Sequence, residues 1–199
     1  MKLALLSDIH ANLHAFEACL AHAEAAGAQG YALLGDLVGY GAFPAQVVQR
    51  AMRLAEAGAL MVKGNHDHYA NVAIADATKM AHTGVAWTQE QLSAEERAFL
   101  AALPLTARTG RTLLVHASAD APSHWHYVTT PQTAALSLEG AATPPIGSGE
   151  VRYVFGGHVH QQTLYFRGGA GRLMPFEPTP GVVIPVPRHR HWLATVGAV

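Results

Sequence analysis

Short apolar runs closed by polar clusters alternate with longer amphipathic stretches over the first third of the chain. Leu3 to Ser7 is the first run. Asn12 to Ala26, rich in alanine, leucine and glutamate and closed by Gly27, reads as a helix. The pattern repeats with Tyr31 to Leu34 as a strand, Gly35 to Phe43 as a glycine-rich loop, and a helix led by Pro44 and ending near Ala57. A third strand, Leu60 to Val62, runs into Lys63-Gly64-Asn65-His66-Asp67. Each apolar run thus delivers polar residues at its carboxyl end, where open α/β sheets bind ligands.

Thr78 to Leu103 reads as a covering helical pair, with Ser93 as an N-cap before Glu95-Glu96 and Pro104 as the stop. Strands follow: Thr112 to Val115 before His116, Val151 to Phe155 before Gly156-Gly157-His158, then Thr163 to Arg167 and Val182 to Val186. Ala141 to Gly149, with two prolines and two glycines, is a loop between apolar runs of like kind. With no internal repeat and no boundary signal, residues 1–199 read as one domain.

Composition narrows the field. Of 199 residues, 50% are hydrophobic and 14% charged, enough apolar material for a buried core. A net charge of −1 and a pI near 6.9 exclude the broad basic face that duplex nucleic acid requires. The apolar start stops at Ser7-Asp8, too short for a signal peptide, and no run approaches a membrane span, so a cytoplasmic protein is expected. The single cysteine, Cys19, lies in a helical stretch and reads as a buried structural thiol. Histidine stands out: thirteen against fourteen acids makes metal ligation the first chemistry to test.

Five loops at expected strand ends carry the suggestive residues: Asp8-Ile9-His10, Gly35-Asp36, Gly64-Asn65-His66-Asp67, His116, and Gly157-His158-Val159-His160. Separation along the chain is immaterial if all five lie on one sheet edge. Asp-x-His and His-x-His each project two ligands from one turn. Carboxylate, imidazole and amide oxygen together suit zinc, manganese or iron, whereas calcium or magnesium would call for oxygen ligands almost alone.

This ordered set, D-x-H, G-D, G-N-H-D, H and G-H-x-H, resembles that of the calcineurin-like metallophosphoesterases and spans Asp8 to His160. The wording Ser7-Asp8-Ile9-His10-Ala11-Asn12 and Gly35-Asp36-Leu37-Val38-Gly39-Tyr40-Gly41 is similar to a small bacterial and archaeal phosphodiesterase branch that includes diadenosine-tetraphosphatase-like members. The resemblance implies a four-layer αββα sandwich of two mixed β-sheets flanked by helices. It implies two divalent ions, manganese first among manganese, iron and zinc. Asp8, His10 and His160 would hold one ion, Asn65, His116 and His158 the other, and Asp36 would bridge them. A water acidified by the ions would attack phosphorus, and His66, protonated near neutral pH, would donate to the leaving oxygen. Asp67 would orient His66 or cap the following short helix.

The remaining histidines are plainer. His14, His22, His68 and His82 fall on expected helices and read as solvated or packed. His124-Trp125-His126 follows His116 closely, and Trp125 reads first as a packing residue and second as a platform for a base. Arg188-His189-Arg190-His191 is a candidate phosphate contact. Protein phosphatases of the superfamily carry an Asp-Arg pair where Gly39-Tyr40 stands here, which removes the fork donor for a phosphate dianion. Small-branch relatives continue past the segment resembling Thr195-Val196-Gly197 through strands that finish one sheet. An exposed sheet edge covered by a second subunit is therefore expected. The function implied is hydrolysis of a small phosphodiester or nucleotide. The alternatives are a phosphomonoesterase or protein phosphatase, or a scaffold like the retromer subunit of the superfamily.

Overall fold

The computed structural model describes residues 2–73, 80–143, 150–167, 171–188 and 190–199, the side chains of residues 80–82 excepted. The opening half is strand and helix in turn: β1 (Leu3–Leu6), α1 (Leu13–Ala25), β2 (Gly30–Leu33), α2 (Pro44–Glu56), β3 (Leu60–Met61) and the short α3 (Asn65–Tyr69). Two helices, α4 (Met80–Gln91) and α5 (Ala94–Ala102), lead to β4 (Thr106–Thr109) and β5 (Thr112–Val115). Then come α6 (Pro131–Ala142), β6 (Tyr153–Gly156), β7 (Thr163–Arg167), β8 (Leu173–Phe176) and β9 (Trp192–Thr195).

The strands form two sheets. The first is parallel, in the order β1-β2-β3, and the second has the order β4-β5-β6-β9-β7-β8. Mixed pairing, expected of both, belongs to the second, where β5-β6-β9 are parallel and β4, β7 and β8 run against their neighbours. Alternation along each strand sorts the layers. Leu6 and Leu33 pack with Phe16 and Leu20 of α1, Val47 and Val48 of α2, and Leu100 of α5. Leu3, Leu5, Ala32 and Leu34 point the other way and meet Leu114 and Phe155 between the sheets. Leu113 and Val115 face Ala134 and Leu138 of α6. Strands covered on both faces need near-continuous apolar runs, which is why β1, β2 and β5 were legible.

Side-chain caps set the start of two helices, of which Ser93 was expected and Asn12 was read as already helical. Asn12 accepts from the Ala15 amide at 3.2 Å. Ser93 and Glu96 form a reciprocal capping box on α5, so Glu96 is the partner. Cys19 is half-buried against the helical side of the core. Thr78, the side chain of His82 and residues 144–149 of the expected loop lie outside the described residues.

One expected strand is absent and three were unforeseen. Val182 to Val186 is irregular and exposed, Val183 by 90%. Pro180, Pro185 and Pro187 withhold ladder donors in and around that β-branched run, and no strand among the described residues pairs with it. The central strand is instead β9, where buried Trp192 and Leu193 lie between β6 and β7. The others are the edge strands β4 and β8. At the far side of the first sheet, Ala198 bridges Ser7 and the Val199 amide donates to Ser7 O at 3.2 Å. The rest of the outer edge of β1 pairs with no strand among the described residues.

Candidate metal centre

The five loops converge at the carboxyl ends of β1, β2, β3, β5 and β6. Asp8, His10, Asp36, His158 and His160 all have positive φ, between 48° and 68°. Each such residue carries a cost of about 1 kcal/mol or more, so the surrounding structure must hold them there. Backbone bonds between the loops do so: Asp8 N to Gly35 O, His10 N to Asp36 O, and Gly157 N to His116 O, at 2.7–3.1 Å. Close approach of the loops also demands glycine, as at Gly64 and Gly157. A Cβ on Gly64 would overlap Asp36 Oδ1, and one on Gly157 would overlap Ser7 Oγ.

Ligand-bearing atoms gather into overlapping groups: Asp8, His10 and His160; His10, Asp36 and His66; and Asp36, His116 and His158, each within 4.8 Å. Asp36 Oδ2 sits 3.3 Å from His116 Nε2 and 3.8 Å from His10 Nε2. Asp8 Oδ1 is 3.4 Å from His160 Nε2, and Asn65 Oδ1 is 3.1 Å from His116 Nε2. Two donors on one ion at about 2.1 Å are separated by about 3.0–3.4 Å at tetrahedral or octahedral angles, which the His116, His160 and Asn65 spacings match and the 3.8 Å between His10 and Asp36 exceeds by a few tenths of an ångström. His158 Nε2 is buried with no hydrogen-bond partner, a donor atom that a cation would satisfy. His10 and His160 set their Nε2 atoms 3.1 Å apart, as two ligands of one ion would. The residues present therefore fit a divalent ion, and all seven expected ligands are brought together.

The neighbours orient the ligands. His116 Nδ1 is 2.7 Å from Leu34 O and His10 Nδ1 is 3.2 Å from Val38 O, leaving each Nε2 toward the centre. Asp8 accepts from the His158 amide at 2.9 and 3.1 Å. Burial alone would lift the Asp36 carboxyl, but His116, His66 and His10 outweigh it and hold the pKa far below the usual carboxylate range. Conversely, burial disfavours charge on His116, and the adjacent Asp36 overrides it, raising the imidazole to about 9. Burial, aided by the charge of His116, lowers His158 to about 4.

His66 stands in the centre, its amide donating to Asp36 Oδ1 at 2.9 Å and its ring edge-on to His10 with centroids 5.0 Å apart. Burial lowers its pKa, partly opposed by the charge of Asp36. Asp67 does not hydrogen-bond that ring. Its buried carboxylate accepts from the amides of Gly64 and Leu37, both at 2.9 Å, and so ties the two loops together while capping α3. Burial, with the charge of Asp36, raises it to about 7. Asp67 was expected to orient His66 or to be the N-cap of a following helix; it lies inside α3, where Gly64 is the N-cap residue, and its carboxylate reaches back to the Gly64 amide from the first turn.

Trp125, left-handed at φ 56° and half-buried, sets its ring 6.1 Å from both His116 and His68. His14, His22 and His68 are exposed. Arg188, Arg190 and His191 precede β9, which runs parallel to β6, so they lie at the opposite end from His158. That corrects their assignment as phosphate contacts; His189 lies outside the described residues. Sequence reasoning missed two exposed aromatics. Tyr127 stacks on His158 at 4.1 Å, and Tyr40 stands 4.7 Å from His10 and 4.6 Å from His66. The signal for Tyr40 was an aromatic between Gly39 and Gly41 in a loop already marked as catalytic.

A sequence model of the calcineurin-like phosphoesterases matches residues 1–162. The chain belongs to that family. Every expected ligand of this calcineurin-like phosphoesterase falls inside the match. It is 32% identical over 132 residues, 63% of its length, to the uncharacterized protein MJ0912 of Methanocaldococcus jannaschii, and spans about half (53%) of that relative. Its fold superposes on a metallophosphoesterase from Sphaerobacter thermophilus with a TM-score of 0.83 at 30% identity, covering 100% of this chain and 77% of that one. A solved structure that its description proposes to be a diadenosine tetraphosphatase shares the fold at a TM-score of 0.51 and 17% identity, over 90% and 94% of the two chains. The family match and the clustered donors both point to a divalent metal centre.

Proposed function

We propose that this phosphoesterase cleaves a phosphodiester in a small nucleotide, using two divalent ions held by the seven clustered ligands. The observation that carries the reading is Asp36 Oδ2, which faces His116 on one side and His10 on the other. Asp8, His10 and His160 would hold one ion and Asn65, His116 and His158 the other, with Asp36 shared. The ions, when bound, supply positive charge for the phosphate and a water acidic enough to attack phosphorus near neutral pH.

The chain's own groups do the rest. Asp36 and Asp8 limit the net positive charge. The Asp36 carboxylate also fixes the backbone of His66. A phosphate anion arriving beside His66 favours its protonated form, and the imidazolium then gives its proton to the leaving oxygen. Diester preference follows from what surrounds the centre. No lysine or arginine is among the described residues lining the cavities beside His10 and His66. A phosphate dianion finds no guanidinium fork there, whereas a singly charged diester needs none.

The test is kcat/KM of the manganese-loaded protein for bis-nitrophenyl phosphate against nitrophenyl phosphate. A higher value for the diester is expected. Preference for the monoester or for a phosphopeptide would return the chain to the general phosphatases.

A further inference from the structure

His66 is shared between the donor cluster and a separate slot of about 160 Å³. Beyond His66 the slot is lined by Tyr40, Ala70 and, from α4, Gly84, Val85 and Thr88. The Thr88 hydroxyl donates to Gly84 O at 2.8 Å, so it offers the slot no free proton. Apart from His66, no ionisable side chain other than the Tyr40 phenol lines it among the described residues. A Cβ placed on Gly84 would meet nothing within 4 Å, which leaves that wall open.

Tyr40 is the unusual wall. It is 79% exposed and has φ 62°, a conformation that costs a non-glycine residue about 1 kcal/mol or more. With so little of its surface buried, packing does not offset that cost. Its flanks hold it in place. A Cβ on Gly39 would overlap the His66 imidazole, one on Gly41 would overlap His10 O, and the Gly41 amide donates to that same oxygen at 2.9 Å. The loop thus presents a large ring rigidly beside the group that protonates the leaving oxygen, the placement expected of a stacking platform.

We propose that this slot is the leaving-group subsite and that it takes a nucleobase against the ring of Tyr40. The inference rests on the hydrolytic reading above and deepens it. A planar uncharged ring suits a small slot walled by Tyr40, Ala70 and Val85, whereas a second phosphate would find no lysine or arginine among its described lining residues. Tyr40 is accordingly a specificity residue rather than a catalytic one.

The experiment reads binding apart from turnover. The AMP analogue with a methylene group in place of the bridging oxygen is titrated into manganese-free, zinc-loaded protein, with methylphosphonate as the baseless control. Saturation-transfer NMR follows the adenine and ribose protons. In the parent protein the adenine protons receive the stronger transfer, and the analogue binds about tenfold or more tighter than methylphosphonate. Tyr40→Phe keeps both properties. Tyr40→Ala and Gly84→Leu, the latter a better helix former filling the open wall, lose the adenine signal and bring the two affinities together. Equal affinities in the parent, or an adenine signal unchanged in both variants, overturns the subsite. Loss of all diester hydrolysis would defeat the hydrolytic reading instead, and the binding result would still decide the slot.

Discussion

Asp36→Asn separates the electrostatic role of the central carboxylate from its shape. In metal-free protein Asp36 Oδ2 lies 3.3 Å from a wholly buried His116, whose pKa it raises from 6.5 to about 9. A folded pKa above the unfolded value stabilises fully below about 6.5 and is lost as pH rises through 9. At about 1.36 kcal/mol per pH unit, that shift is worth roughly 3 kcal/mol at pH 6 and little above pH 9. The depressed Asp36 pKa bounds the same interaction from below: its stabilisation is present above about 3.8 and fails in stronger acid. The isosteric amide removes this pH dependence without changing volume. Urea unfolding of EDTA-dialysed protein at pH 6 and pH 9 measures it. The variant's penalty should be roughly 3 kcal/mol larger at pH 6. Equal penalties at the two pH values would refute the Asp36–His116 pairing. Elemental analysis of the metal-reconstituted variant is the companion measurement, where two full equivalents would contradict the bridge.

His66→Ala should keep its metals and lose rate, most for alkyl leaving groups that need a proton; equal slowing of nitrophenyl and alkyl esters would remove its donor role. Gly64→Ala drives a Cβ into Asp36 Oδ1, so metal content should fall and the thermal midpoint drop, as mass spectrometry and calorimetry would report. Ser93→Ala removes one half of the α5 capping box and should cost about 1 kcal/mol with activity unchanged, measured by urea unfolding.

The clustered donor set was legible because metal-binding chemistry constrains residue type more tightly than it constrains position. An Asp-x-His or His-x-His step carries its own local geometry, and the glycines of Gly64 and Gly157 follow from close approach of neighbouring loops. The role of Asp67 was not legible. Beside His66 in sequence, it reads as a partner for that imidazole, and only the fold shows the Leu37 amide arriving to take its carboxylate.

What the sequence by itself determined is the alternation of layers and which donor residues gather at the strand ends. Short apolar runs such as Leu3 to Leu6 and Leu113 to Val115 can be buried on both faces only between helices and a second sheet. The tertiary structure alone decided which apolar run becomes the central strand. Val182 to Val186 has the better strand composition, yet Trp192 to Thr195 takes the place because its backbone donors are all available to β6 and β7. It also decided what stands around the centre. Tyr40 borders the slot because α4 brings Gly84 and Val85 to line the same cavity, a juxtaposition of residues more than forty positions apart that no local pattern encodes.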